Sequence, residues 1–263
     1  MLQNSASRAK NPDVAFVDFA YQGLKPFGTP GSYVFMTAEA IPDMGERASY
    51  LLRASRWLEA KRAEGDKWRE LPVDFRTFVE CDQLLKKKTI LWPEVIRCGL
   101  EMNSGRYVEA VLTGGIGVAK TTLAIYSQGY QLYVLYCLDH PHQQFDLDPS
   151  SEILTVFQSI TKNLAMDVDY RRFRSMVEEA PFFRYQFPFN RDRMSEMSFA
   201  GNIKVKPVAG HDTAAIGQNV IGGIIDEVNF MAVVEESKLM RDGSVYDQAA
   251  EHYNSIAGAS RGS

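Results

Sequence analysis

Residues 107–122, YVEAVLTGGIGVAKTT, limit what this chain can fold into more than any other stretch. From Gly114 to Thr121 they fit the phosphate-loop pattern G-x-x-x-x-G-K-[ST], with Ala119 in place of the second glycine. Glycines free of Cβ let the backbone curl so that several N–H groups face one phosphate chain. We expect Ala119 to be well tolerated, because alanine costs less than glycine at a position that already turns into a helix. The alternative is a plain glycine turn followed by an incidental lysine.

The motif needs a strand before it and a helix after it. Residues 107–112 are rich in strand formers and predict the strand, and residues 123–138 have few breakers and predict the helix. In that setting Lys120 reaches the terminal phosphates and acts in catalysis, while the Thr121 hydroxyl holds Mg²⁺. The predicted nucleotide-binding residues are Gly114, Gly115, Ile116, Gly117, Val118, Ala119, Lys120, Thr121 and Thr122.

A second motif lies about a hundred residues downstream, where the apolar run VIGGII at residues 220–225 predicts a buried strand. Asp226 follows it directly and fits the acid that holds the Mg²⁺ water shell in phosphate-loop enzymes. Glu227 comes next and is the predicted catalytic base, because a second acid there polarises the attacking water. An Asp-Glu pair closing a strand is also common as a solvated turn. Together the two motifs predict ATP hydrolysis with Mg²⁺.

Composition narrows the functional classes. A formal net charge of −4 and a pI near 5.7 argue against a wholly basic nucleic-acid binder. The three cysteines have no metal-ligand spacing and predict reduced thiols. His140 and His142 are a possible metal pair, but a polar loop is the favoured interpretation. No apolar run is long enough to span a bilayer and no secretory signal is evident, so we expect no membrane partner and a cytoplasmic location.

The pattern along the chain predicts two parts: an N-terminal arm and helical segment at residues 1–90, and an α/β core at residues 91–263. Residues 1–44 predict irregular structure because Gly and Pro recur there, and residues 46–64 and 75–88 predict amphipathic helices. The core predicts a mostly parallel sheet with helices on both faces. Its predicted elements are strands at 153–158, 194–199, 203–208 and 220–225 and helices at 159–177 and 244–256.

The phosphate loop, HPHQQFDLDPSSEI, APFFRYQFPFNRDR, AAIGQNVIGGIIDEVNFM and DQAAEHYNSI together resemble the large subunit of tailed-phage terminase, a DNA-packaging motor. This resemblance spans about residues 92–256. It implies a P-loop NTPase of the additional-strand, conserved-glutamate type that uses ATP and Mg²⁺ to move double-stranded viral DNA into a procapsid. A portal protein and a small terminase subunit are then the implied partners. The implied assembly is a homo-oligomeric ring in the host cytoplasm, and an isolated domain is expected to be a monomer.

Some features of that family are not expected in this chain, namely its nuclease domain and its coupling strand. Two places that hold an arginine in many relatives are Ile116 and Ile216 here. The charge that stabilises the γ-phosphate must therefore come from elsewhere, and the candidates are Arg184, Arg191 and Arg193 of a neighbouring subunit. Two alternative functions stay open: a helicase-like, nucleic-acid-stimulated ATPase, and a nucleotide-gated docking module with little turnover.

Overall fold

The computed structural model describes residues 12–88, 91–115, 117–159, 169–208, 219–226, 233–234, 246–247, 250 and 253–254. The chain forms two compact units, which we call the helical unit and the sheet unit. The helical unit comprises Met1–Val111, Tyr130–Asp139 and Ala180–Phe182, and the sheet unit comprises Leu112–Gly129, His140–Glu179 and Phe183–Ser263. The first division therefore falls between Val111 and Leu112, whereas the sequence pattern places it after residue 90.

The helical unit begins with α1 (Pro12–Leu24), a 3₁₀ turn at Lys25–Phe27 and α2 (Thr29–Glu39). The prediction of irregular structure is therefore wrong for most of residues 12–44. Pro12 and Pro30 lie in the first turns of these helices, where a missing backbone N–H costs nothing. Gly28 separates the 3₁₀ turn from α2 with φ of +60°. Gly and Pro thus mark the ends of helices here rather than an extended arm.

The following helices carry clear start and stop signals. Helix α3 (Met44–Ala63) confirms the amphipathic helix predicted at 46–64, and its Asp43 carboxylate caps it by accepting the Glu46 N–H at 2.7 Å. The helix predicted at 75–88 is shorter in the structure, as α4 (Phe75–Glu80), because Cys81 adopts an extended conformation. Helix α5 (Pro93–Met102) completes this series.

The predicted helix after the phosphate loop is present as α6 (Lys120–Cys137). Its residues from Tyr130 onward belong to the helical unit, where Tyr133 lies between Phe78 and Phe182 with both ring centroids at 5.1 Å. The hydroxyl of Tyr130 donates to the Val73 carbonyl at 2.8 Å, and that of Tyr133 accepts the Val73 N–H at 3.1 Å. Burial raises the pKa of both phenols well above their usual value, so both donate and accept as neutral hydroxyls.

The sheet unit contains a five-stranded sheet in the order β2-β3-β4-β1-β5. It also contains the short helices α7 (Pro141–Gln144) and α8 (Arg171–Glu179), and α9 (Pro181–Tyr185) begins in the helical unit and ends in the sheet unit. The strands are β1 (Ile153–Gln158), β2 (Phe189–Asn190), β3 (Met197–Phe199), β4 (Ile203–Val208) and β5 (Val220–Ile225). Strand β1 pairs in parallel with both β4 and β5, whereas β2-β3 and β3-β4 are antiparallel. The sheet is therefore mixed.

The three longest strands agree with the sequence patterns. The turn predicted between the strands at 194–199 and 203–208 is present, with Gly201 and Asn202 both at positive φ, as tight hairpin turns favour. The helix predicted at 244–256 is wrong at its start: Tyr246–Asp247 forms β7, which pairs with β6 (Val233–Val234).

Strand β1 lies between β4 and β5, and all six of its side chains are hidden from solvent. Helix α8 packs on it, since the ring centroids of Phe157 and Phe173 lie 4.9 Å apart. Helix α6 approaches α8 closely at Gly129, where an added Cβ would lie 2.8 Å from Met176 Cε. This packing holds the starts of α6 and α8 and the ends of β1 and β5 in one unit. Among the described residues no helix is long and apolar enough to cross a membrane.

Candidate nucleotide-binding site

The phosphate-loop residues lie in the sheet unit and face solvent. Gly114 and Gly117 have φ of +142° and +84°, conformations that L side chains rarely adopt. Both are exposed, as are Gly115 and Val118. The loop is thus exposed, has two glycines at positive φ and leads directly into α6.

Ala119 does not behave as the sequence pattern led us to expect. It has φ of +61°, in the left-handed region, and the helix begins only at the next residue. Its carbonyl accepts the first helical hydrogen bond, from the Leu123 N–H at 2.9 Å. An alanine in this conformation is strained by about 1–2 kcal/mol. The expectation that alanine is favourable here was wrong, because the position lies just before the helix and not inside it.

The Lys120 side chain is hydrogen-bonded to the backbone of the phosphate loop. Its Nζ donates to the carbonyls of Gly114 and Gly115, both at 2.8 Å. An ammonium group has three donors, so two are used by the loop and one is available to a bound anion. The lysine is half-buried. The geometry places a positive charge at the centre of the exposed glycine turn.

The structure brings Thr121 together with Asp226, which the sequence singled out from two separate motifs. Thr121 Oγ1 donates to Asp226 Oδ2 at 3.4 Å, and the Asp226 N–H donates to the Gln158 carbonyl at 3.0 Å. The carboxylate thus follows β5 and is tied by its backbone to the end of β1. A hydroxyl beside a carboxylate is a donor set that suits Mg²⁺, which takes one or two protein oxygens and completes its shell with water and phosphate.

Several predicted residues lie outside the part of the chain that the structure describes. These are the predicted base Glu227, Ile116 within the loop, and Ile216. The strand predicted at residues 107–112 is not formed. Tyr107 and Val111 are 52% and 77% exposed, and no described strand pairs with this segment. Strand-forming side chains do not make a strand without a neighbour that supplies hydrogen bonds.

The described residues hold no group of three or more His, Cys, Asp or Glu side chains placed to bind a metal ion around His140 and His142 or elsewhere. His142 lies in α7, is buried, and its Nε2 pairs with the Ser151 carbonyl at 3.0 Å. The prediction of a polar loop is therefore wrong for Pro141–Gln144, which form a short helix with a buried histidine.

One site residue escaped the sequence reasoning. Arg172 Nη2 donates to Thr122 Oγ1 at 3.2 Å, which places a guanidinium beside the first turn of α6. The signal was the run Tyr-Arg-Arg-Phe-Arg, but the spacing alone does not say which arginine faces the loop. Arg174, two residues on, is only 5% exposed and its guanidinium donates to the carbonyls of Arg191 and Arg193.

The three arginines that were predicted to stabilise the γ-phosphate lie in other local environments. Arg193 pairs with Glu196 at 2.6 Å, Arg191 lies near the ring of Phe189, and Arg184 is exposed in α9. Within the described residues none of the three contacts the phosphate loop of its own chain, and a role in the site of a neighbouring subunit stays a prediction.

A family model described as "Uncharacterized protein MJ0330, N-terminal P-loop domain" matches residues 44–256, more than half of the 263 residues. Neither a curated protein nor a solved structure matches the chain. Nothing in these comparisons indicates a phage terminase. The match supports a P-loop domain with nucleotide hydrolysis as its general activity, and the chain belongs to the family of the MJ0330 N-terminal P-loop domain.

Proposed function

We propose that this protein hydrolyses a nucleoside triphosphate, with ATP as the first candidate, in a reaction that requires Mg²⁺. One observation carries the proposal: the start of α6 presents Lys120 to the glycine turn and Thr121 to Asp226, 3.4 Å away. A cation, a hydroxyl and a carboxylate at the entrance of one helix are the groups that a metal-bound triphosphate requires.

Binding would use the backbone first. The exposed turn around Gly114 and Gly117 and the free N–H groups of the first turn of α6 together attract an anion. The third donor of the Lys120 ammonium then contacts the terminal phosphates. This lysine is the residue on which affinity for the triphosphate depends most.

Thr121 and Asp226 would hold the Mg²⁺, Thr121 by its hydroxyl and Asp226 through the water shell. The ion, when bound, neutralises charge on the β- and γ-phosphates. The backbone bond from Asp226 to Gln158 keeps the carboxylate at the end of β5. The role of this chain's residues is thus to orient the metal-bound phosphates against α6.

Glu227 is the proposed base, on the basis of its position next to Asp226 in the sequence. It takes a proton from water while the water oxygen bonds to the γ-phosphorus. The bond from that phosphorus to the bridging oxygen breaks, which yields ADP and inorganic phosphate. Loss of a general base costs roughly 10²-fold or more in rate.

Steady-state release of phosphate from ATP and from GTP, with Mg²⁺ and with EDTA, tests the proposal. We expect Mg²⁺-dependent turnover that falls by roughly 10²-fold in Glu227→Gln, while that variant still binds nucleotide. No turnover of either nucleotide under any of these conditions, in a chain that binds them, would favour the nucleotide-gated docking module instead.

Viral DNA packaging is a narrower hypothesis that rests on the sequence resemblance alone. It predicts that double-stranded DNA stimulates ATP hydrolysis and that a portal protein and a small terminase subunit bind the chain. The net charge of −4 predicts weak DNA binding by the isolated chain and strong salt sensitivity within an assembly. An ATPase rate that is unchanged by double-stranded DNA, single-stranded DNA and RNA would exclude both this hypothesis and the helicase-like alternative.

A further inference from the structure

We propose that Arg172 binds the phosphate chain of the nucleotide held by the loop of its own chain. The inference rests on the proposed function of the loop and assigns it a cation that neither of the two motifs contains. Arg172 is the second residue of α8, and its Nη2 lies 3.2 Å from Thr122 Oγ1. Thr122 directly follows Thr121, whose hydroxyl faces Asp226.

The backbone that carries Arg172 is held firmly against the loop helix. Phe173 is completely buried, with its ring 4.9 Å from that of Phe157 on β1. Two turns along α6 from the loop, Gly129 lies close to α8, since an added Cβ would be 2.8 Å from Met176 Cε. Core packing therefore fixes the backbone of Arg172 beside α6, and its exposed side chain reaches the first turn of that helix.

The charge of Arg172 is exposed and lacks a carboxylate counterion among the described residues. Two other arginines of the sheet unit do have carboxylate counterions: Arg174 pairs with Glu178 at 2.9 Å and Arg193 pairs with Glu196 at 2.6 Å. Thr122 Oγ1 is a neutral acceptor and occupies one of five guanidinium donors. The remaining donors are arranged in a planar fork that matches the oxygens of a phosphate.

Because Arg172 belongs to the same chain as the loop, the site does not depend on a cation from a neighbouring subunit. Lys120 already spends two of its three donors on the loop carbonyls. Arg172 supplies a second positive charge beside the loop without a neighbouring subunit. A monomer then has both cations that a triphosphate needs, and nucleotide affinity should not depend on protein concentration.

The test is a calorimetric titration of the full chain with a non-hydrolysable ATP analogue plus Mg²⁺, and separately with AMP. We expect Arg172→Ala to lower the affinity for the ATP analogue by roughly tenfold or more, which is the range for the loss of a hydrogen bond to a charged group. The matched control is Arg171→Ala, which removes the same charge one residue away and should change affinity less than about twofold. Arg172→Lys should recover only part of the loss, because an ammonium lacks the planar fork. AMP affinity should change much less than analogue affinity, because AMP lacks the β- and γ-phosphates.

Two further measurements show whether Arg172→Ala still folds and whether Arg172 acts on its own chain or on a neighbouring one. Equal melting temperatures of Arg172→Ala and the unaltered chain establish that the effect is not unfolding. Mixing Arg172→Ala with Lys120→Ala should restore no hydrolysis if Arg172 serves its own chain, and recovery in the mixture would overturn the same-chain assignment. Analogue binding by Arg172→Ala as tight as that of the unaltered chain, or an equal loss in Arg171→Ala, would overturn the role of Arg172 alone. Absence of binding by the unaltered chain would overturn the proposed function as well.

Discussion

The hydroxyl of Thr121 lies 3.4 Å from Asp226 Oδ2, although 105 residues separate the two in the chain. This contact joins the phosphate loop to the end of β5 and gives a donor set that suits Mg²⁺. Neither motif alone specifies such a site, because each is common as an ordinary turn. Their meeting in space supports the proposed chemistry more than either pattern does.

Replacing Asp226 by asparagine should remove most of the dependence of nucleotide affinity on Mg²⁺. The amide keeps the shape but loses the charge that holds the metal water shell. The measurement is the dissociation constant of an ATP analogue as Mg²⁺ is varied. Asp192→Asn, at an exposed position of the sheet unit, is the control. A Mg²⁺ response in Asp226→Asn equal to that of the control would remove Asp226 from the metal site.

Replacing Ala119 by glycine should stabilise the protein by about 0.5–1 kcal/mol. Glycine relieves the left-handed strain at φ of +61°, and part of that gain is lost to its greater freedom in the unfolded chain. Urea unfolding measures the change. Gly117→Ala, the reverse exchange at φ of +84°, should lower stability. If Ala119→Gly is the less stable of the two variants, the loop does not hold this conformation in solution.

Replacing Gly99 by alanine should destabilise the helical unit by about 1–3 kcal/mol. An added Cβ would lie 2.0 Å from Cε1 of Phe75, a completely packed ring that cannot move aside cheaply. Gly23→Ala in α1 is the control, since nothing lies within 4 Å of its Cβ position, and it should be neutral or slightly stabilising. The urea midpoints of the two variants check this packing, which would be contradicted if they coincided.

Thiol reactivity should distinguish the three cysteines. Burial raises the pKa of the Cys81 thiol, and that of Cys137 even more, whereas Cys98 is partly exposed. A raised pKa leaves less of the reactive thiolate at pH 8. A coloured disulfide reagent should therefore label Cys98 first in the folded protein and all three cysteines in urea. Rapid labelling of Cys137 in the native state would show that the core around α6 opens.

The sequence patterns predicted the bounds of β1, β4 and β5 correctly. Strand β1 is buried along its whole length, whereas β5, which was predicted to be a buried strand, is only partly buried after Val220. The Gly201-Asn202 turn was predictable because both residues tolerate positive φ. These elements place Asp226 at its strand end, so local sequence signals predicted the position of one of the two residues of the proposed Mg²⁺ site.

The errors have physical causes of another kind. Gly and Pro between residues 12 and 44 mark helix ends, and composition does not distinguish that use from an irregular arm. Residues 107–112 have strand-forming side chains, but strand formation depends on a partner that the sequence cannot indicate. The contact from Arg172 to Thr122 joins residues 50 apart through the packing of α8 on β1. Such long-range contacts have no periodic signature.

The most direct test of the account is the affinity of Lys120→Ala for a non-hydrolysable ATP analogue with Mg²⁺, measured by isothermal titration beside the unaltered chain. Lys120 is the cation that bridges the loop carbonyls and retains one donor for the terminal phosphates. We expect micromolar or tighter binding by the unaltered chain and near-complete loss of binding in Lys120→Ala, with both proteins folded. Unchanged affinity in Lys120→Ala would mean that Gly114 to Thr121 is an ordinary glycine turn and would contradict the proposed nucleotide site.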